Sequence, residues 1–262
     1  MIRRAIAAHG HLMWALSVHD FRYQYVDSLL GVLWSMIKPF VLIAVYVFVF
    51  STIIAPTTTL DGQPVNFGLY LFAGMLPWIA IQDSVQRSAT VFTDQASLIR
   101  HHRIPLFIFP FSIVLSSTIS ALFIVAMYII IKGILAGGVS FHALFLVVLI
   151  PIQVAFCCGL SLVVSTLNVV VRDISHAAAT FMTVLFFTSP VIFPAESISH
   201  VVRQLMWLNP LTGFTYAYRD LLLLGRTPSI QAVIAVVCFT VLAVSAGFFL
   251  HARMYREIVD RA

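Results

Sequence analysis

Residues 21–50 read FRYQYVDSLLGVLWSMIKPFVLIAVYVFVF, and this stretch decides the fold. It starts amphipathic and aromatic, passes Gly31-Val32-Leu33-Trp34, meets one Lys38-Pro39 pair and turns purely apolar. Projected as a helix, Trp14, Val18, Phe21, Tyr25 and Leu29 share one face, and Asp20, Tyr23, Gln24 and Asp27 share the other. A helix of this kind lies in the membrane interface with its apolar side down. Trp34 then marks headgroup level, where the chain turns into the bilayer. The plainer alternative is an ordinary first span behind a loose leader.

Composition agrees with a membrane location. Apolar residues make up 61% of the 262 and charged residues only 10%, with a mean hydropathy of +1.01, which excludes a soluble globular domain. The charges bracket the spans: Lys38 to Asp61, Asp61 to Asp83, Arg103 to Lys132, Lys132 to Arg172, Asp173 to Glu196 and Arg226 to Arg253. Each window holds the roughly 20 residues of a spanning helix. The expectation is therefore an all-α polytopic membrane protein of six transmembrane helices, read as one domain over residues 1–262. With both termini in the cytoplasm, 11 of the 15 basic residues fall inside and only Lys132, Arg203, Arg219 and Arg226 outside, as the positive-inside rule requires. Anionic lipid then accounts for the net charge of +5, and no nucleic-acid partner is needed.

Two connections stand out. Residues 92–104, FTDQASLIRHHRI, form the longest inner connection. Thr93 or Asp94 can cap a short helix ending in Arg100, His101, His102 and Arg103, the charges a helix C-terminus favours. Such a helix would offer a soluble partner a grip; a solvated loop is the alternative. The adjacent His101 and His102 cannot share a metal on a helix, and no metal site is expected. Residues 195–224 are too polar to span and too apolar to float. Two short helices around Asn209-Pro210, dipping back into the outer leaflet, fit best, and such backbone is tolerated only beside protein or a water-filled cavity. A hairpin lying on the outer face is the alternative. The loop APTTTLDGQPVN after the first span reads as turn formers. Asp83 and Arg87, four apart, are expected to pair on one helix face.

No catalytic residues emerge. Neither Lys38 nor Lys132 follows a glycine, so there is no phosphate-binding P-loop, and HExxH, GxSxG and CxxC are absent. Spans one, three, four, five and six carry no Asp or Glu in their charge-free cores, which disfavours ion-coupled transport. Energy must come from another polypeptide. Tyr23, Tyr25, Trp34, Tyr46, Trp78, Tyr216 and Tyr218 have rings with polar edges, suited either to stacking on sugars or to interfacial belts.

These residues carry a resemblance. Arg22-Tyr23, then Ser28-Leu29-Leu30-Gly31-Val32-Leu33-Trp34, then Pro39, resembles the opening of ABC-2 type permeases of the polysaccharide-export group. Leu98-Ile99-Arg100 running to Pro105, and Trp207-Leu208-Asn209-Pro210, add support. Asp27 stands where many of that group have glycine, and Ile104 where phenylalanine is common; these leave the polymer open. The resemblance implies a half-transporter that pairs with a second copy of itself and binds two cytosolic ATPase subunits, which hold the ATP and magnesium. It implies an interface helix over 1–30, a coupling helix over 92–104 and outer gate helices over 195–224 in a bacterial inner membrane. The implied substrate is a polysaccharide on a polyprenyl diphosphate, with Arg22 and Lys38 meeting the diphosphate and Tyr23, Tyr25, Trp34, Tyr46 and Trp78 lining the sugar path. Asp94, Arg100, His101, His102 and Arg103 would couple to the ATPase, and Trp207, Asn209, Pro210 and Tyr216 would form the outer gate. Exporters of teichoic acid, capsule, lipid or drugs remain alternatives, and a membrane glycan-processing enzyme is a distant one.

Overall fold

The computed structural model describes residues 2–24, 29–49, 57–60, 63–101, 104–138, 140–192 and 199–261. Helix α1, Ile2–Tyr23, precedes a single 3-10 turn at Gly31–Leu33 and α2, Trp34–Val49. Strands β1, Thr57–Leu60, and β2, Gln63–Asn66, pair antiparallel, with Leu60 opposite Gln63. Helix α3, Phe67–Ser88, leads through α4, Val91–Asp94, and α5, Ala96–His101, to α6, Ile108–Ala136. A 3-10 turn at Phe141–Phe145 runs into α7, Leu146–Val170, which is followed by α8, Ile174–Phe187. Then come α9, His200–Met206; α10, Pro210–Arg219, extended by a π-helical turn at Asp220–Leu224; α11, Ile230–Arg253; and α12, Tyr255–Arg261.

Among the described residues, three segments are long and apolar enough to cross a membrane: Ile108–Ile134, Phe141–Val170 and Ile230–Arg253. The other three windows are occupied by α2 with 16 residues, α3 with 22 and α8 with 14. Helix α3 is less apolar because Gln82, Asp83, Gln86 and Arg87 fill its last turns.

The hairpin departs from the expected plain loop. Thr57, Thr58 and Thr59 are β-branched and favour extended backbone, and an Asp-Gly pair between the strands is the strongest short hairpin signal. Asn66 closes the hairpin and opens α3 at once, its side chain accepting from the Leu69 amide at 3.2 Å.

The core forms where α3 is surrounded by α6, α7 and α10. Residues 67–77 of α3 are buried on every side, whereas α6, α7 and α11 each keep an exposed apolar face: Ile130 and Ile134, Val147 and Val148, Val241 and Leu242. Those faces are where a bilayer would lie. Helices α7 and α11 make the most extensive contact in the molecule, and glycine permits it. A Cβ at Gly159 would sit 2.4 Å from the Ala243 carbonyl carbon, and one at Gly247 would sit 2.5 Å from the Gly159 oxygen.

Candidate functional site

The C-terminal half of α3 builds a cleft. Trp78, Gln82 and Gln86 recur every four residues and so form one ridge, while Ile81, Ser84, Val85 and Ser88 turn to the core. Opposite the ridge stand Ser117 and Ser120 of α6, Trp34 and Ser35 at the start of α2, and Gln24 just past α1. The cleft encloses about 450 Å³, within the range of small-molecule sites, roughly 300–1,000 Å³. Its walls combine the two indole rings with amides, hydroxyls and the Asp83 carboxylate beside Ile79, Ala80, Ala121 and Ile124, and ring faces next to hydrogen-bonding groups suit a hydroxyl-rich ligand.

Trp78 is held in place from behind. Its ring lies against Phe186 of α8, centroids 4.3 Å apart. One residue earlier, Gln153 of α7 donates to the Pro77 carbonyl at 3.2 Å, and Tyr218 of α10 donates to Gln153 at 2.6 Å. This buried chain joins α10, α7 and the proline of α3, where one backbone donor is missing.

At the inner edge of the cleft sits Arg87. The expected pair with Asp83 is present at 3.3 Å. Asp20 of α1 forms a second ion pair with the same guanidinium, and Ser117 of α6 accepts from it at 3.2 Å. With its oxygen toward the guanidinium, the Gln24 amide accepts from both terminal nitrogens at 3.2 and 3.0 Å. Projecting α1 by its apolar residues puts Asp20 and Gln24 on the polar face, opposite the side turned to the membrane. They turn inward because Arg87, a partly buried cation, draws anionic and polar partners. The inward face of α1 is Met13, Leu16, Ser17, Asp20 and Phe21, with Phe21 stacked near Phe123. Trp14, Val18, Arg22 and Tyr23 remain on its outer side.

The expected sugar-lining set is therefore divided. Trp34 and Trp78 share the cleft, whereas Tyr23 lies on the outer side of α1 with Arg22, stacked on His19 at 5.9 Å. Tyr25 lies outside the described residues, as do the side chains of Lys38 and Tyr46. Gln24, Gln82, Gln86 and Ser120 were not singled out from the sequence, although the four-residue spacing of Trp78, Gln82 and Gln86 was a readable signal.

The inner connection contains two short helices. Val91, Phe92 and Ile99 pack against Leu106, Phe109 and Ile113, with Ile258 of α12 closing the cluster. Thr93, Asp94, Gln95 and Ser97 are exposed. Thr93 and Asp94 do not act as the expected cap of a helix ending near Arg103. Thr93 donates to the Thr90 carbonyl at 2.7 Å and Asp94 accepts from the Thr90 hydroxyl at 2.7 Å, both within α4. The side chains of Arg100 and His101, and all of His102 and Arg103, lie outside the described residues.

Outside, Asn209 breaks the helix as expected and also ties it down. Its oxygen accepts from the Leu211 amide at 2.9 Å, and its nitrogen donates to the Leu185 carbonyl at 2.7 Å and the Thr188 hydroxyl at 3.0 Å. Pro210 takes the first helical position, where its missing donor costs nothing. Trp207 and Tyr216 stack on each other across this corner, 5.2 Å apart and 11° from parallel.

Helix α10 is buried on nearly all sides, and Arg219 at its end is only 2% exposed. Its guanidinium lies 3.6 Å over the Tyr70 ring and donates to the carbonyls of Tyr70, Pro190 and Val191. Gly74 leaves room for it, since a Cβ there would stand 2.6 Å from the guanidinium. The next turn is held similarly: Lys132 of α6 donates to the carbonyls of Leu222 and Leu223, and Asp220 accepts from Arg226 at 2.7 Å and from the Ser229 amide at 3.3 Å. Gly225, at φ +64°, ends the turn. Arg219 and Lys132 were read from sequence only as outer charges.

The family model described as ABC-2 type transporter matches residues 11–223. An O-antigen export system permease protein, RfbA of Myxococcus xanthus, is 26% identical over 251 residues, covering 94% of each chain. RfbA of Klebsiella pneumoniae is 25% identical over 215 residues, 82% of this chain and 81% of the relative. The polysialic acid transport protein KpsM of Escherichia coli is 21% identical over 242 residues, 90% and 91% of the two chains.

Proposed function

The chain belongs to the ABC-2 type transporter family, and from that premise we propose that it is the membrane permease half of an exporter of O-antigen-like polysaccharide. The observation that carries this reading is the likeness to RfbA of Myxococcus xanthus along 94% of both chains. The cleft supports it, because paired indoles among amides and hydroxyls suit sugar rings better than an apolar drug.

In this reading α2, α3, α6, α7, α8 and α11 are the six spans of an inner-membrane protein with both termini in the cytoplasm. A second copy completes the channel, and two ATPase subunits dock below and supply ATP and magnesium. The connection between α3 and α6, with Asp94 exposed and Arg100, His101, His102 and Arg103 following in its sequence, receives their stroke. Arg22 on the outer side of α1, with Lys38, meets the lipid diphosphate. Trp34 and Trp78 guide the sugars, joined by Gln82 and Gln86. Trp207, Asn209, Pro210 and Tyr216 close the exit. Catalysis by this chain has no part in the scheme.

Deleting the gene and reconstituting the chain with its ATPase tests the reading. The deletion should accumulate lipid-linked polymer inside the cell, and the purified chain should turn over no ATP until the ATPase is added. Charge reversal at Arg100 and Arg103 should leave the protein inserted but stop export. Normal surface polysaccharide in the deletion strain, or ATP turnover by the chain alone, would defeat the proposal. A surface defect confined to an acidic polymer would favour the reading that the likeness to KpsM supports.

A further inference from the structure

The cleft and the interface helix meet at one side chain. Arg87 holds Asp20 of α1, Asp83 of its own helix, Ser117 of α6 and Gln24. Three of these four, Asp83, Ser117 and Gln24, also line the cleft. Whatever moves α1 therefore pulls on the residues that shape the cleft wall. Elsewhere α1 rests on α6 mainly through apolar packing of Met13 and Leu16 and the Phe21–Phe123 stack, contacts that tolerate sliding.

Exposure tells how this node differs from an anchor. The side chains of Arg87, Asp20 and Asp83 are 21%, 26% and 39% exposed, so water can take over their bonds when the helices separate. Arg219, 2% exposed and held by carbonyls, is shut off from water. A planar fork with five donors also suits Arg87 to bridging three helices at once, more fully than the three donors of a lysine ammonium.

We infer that Arg87 is a positioning residue for transport: it clamps α1 to α3 and α6 and passes a displacement of α1 to the cleft. This rests on the proposed function, in which an ATPase below the membrane drives the movement. It concerns how the cleft responds, whichever polymer passes.

The test uses the full chain in membranes with its ATPase. Arg87→Ala should lower export by about tenfold, within the 5- to 150-fold range of coupling between sites, with insertion and ATPase binding retained. Arg87→Lys should recover part of the loss, and Asp20→Arg combined with Arg87→Asp should export better than either single change. A cysteine in place of Ser120, on the cleft wall, reports the coupling directly. Its labelling rate should change with ATP in the parent protein and stop responding in the Arg87→Ala background. If Arg87→Ala fails to insert, Asp20→Asn removes the α1 arm while leaving the pair with Asp83. Wild-type export by these variants, a swap no better than the singles, or ATP-responsive labelling that survives loss of the clamp would each overturn the inference. A parent complex that hydrolyses ATP and exports no polymer would fail the polysaccharide reading alone, because the labelling still reports the clamp.

Discussion

Two arginines, Arg87 near the C-terminal end of α3 and Arg219 beside its N-terminal half, hold this molecule in opposite ways. Arg87 is shared among carboxylates, an amide and a hydroxyl of side chains from α1, α3 and α6, and is partly wet. Arg219 is sealed against a tyrosine ring and three backbone carbonyls. Side chains can rotate away from a cation and find water, whereas buried carbonyls cannot leave without moving the main chain. The inner node is thus built to be remade, and the outer one to stay. A further contrast follows within the outer segment. Helix α10 is packed into the core by Arg219, whereas α9 leaves Val201 and Leu205 exposed and meets α10 at its end, where the Thr212 hydroxyl donates to the Met206 carbonyl at 2.6 Å and Trp207 stacks on Tyr216. If the exit opens, α9 is the part that swings.

The comparison is broken most readily at its stiff end. Arg219→Met should be the most destabilising change, since it strands three carbonyls at about 1–3 kcal/mol each. Thermal unfolding in detergent should show that loss, and Arg219→Lys should not repair it. Lys132→Met comes next, at roughly 1.5–3 kcal/mol for a charged donor to the carbonyls of Leu222 and Leu223. Separating Trp207 from Tyr216 is milder: a double-mutant cycle with alanine should give about 0.5–1.5 kcal/mol of coupling, accompanied by a leak of small solutes. The smallest stability effect belongs to Asp20→Asn, about 0.2–1 kcal/mol for a partly exposed pair. Its export defect should nevertheless exceed that of Trp207→Ala. Should Asp20→Asn destabilise as much as Arg219→Met, the two arginines would be equivalent anchors and the contrast would fail.

Much of this architecture could be read from the sequence, and the rest could not, for identifiable reasons. Asp83 with Arg87, and the break at Asn209-Pro210, follow from spacing within one helix or one dipeptide. Asp20 lies 67 residues from Arg87, and the apolar pattern of α1 alone could not show that a polar face would find a partly buried cation. Arg219 gave no periodic signal, because α10 is buried on almost every side and its cation is answered by carbonyls. The hairpin was legible in three threonines and an Asp-Gly pair, but an apolar-span reading passes over it. In the cleft, aromatic edges drew attention to Trp34 and Trp78, while the glutamines between them looked like the ordinary polar end of a span.

The most direct test places single cysteines along 199–224, together with one at Ser120, in the complex with its ATPase, and compares labelling with and without ATP. Cysteines at Val201 and Leu205 on α9, at Leu208 just after it, and the one at Ser120, should change their labelling with ATP. Those on α10 from Leu211 to Tyr218 should stay protected in both states. Uniform labelling along 199–224 in both states, or α10 becoming accessible together with α9, would contradict the account of a movable inner clamp beneath a fixed outer core.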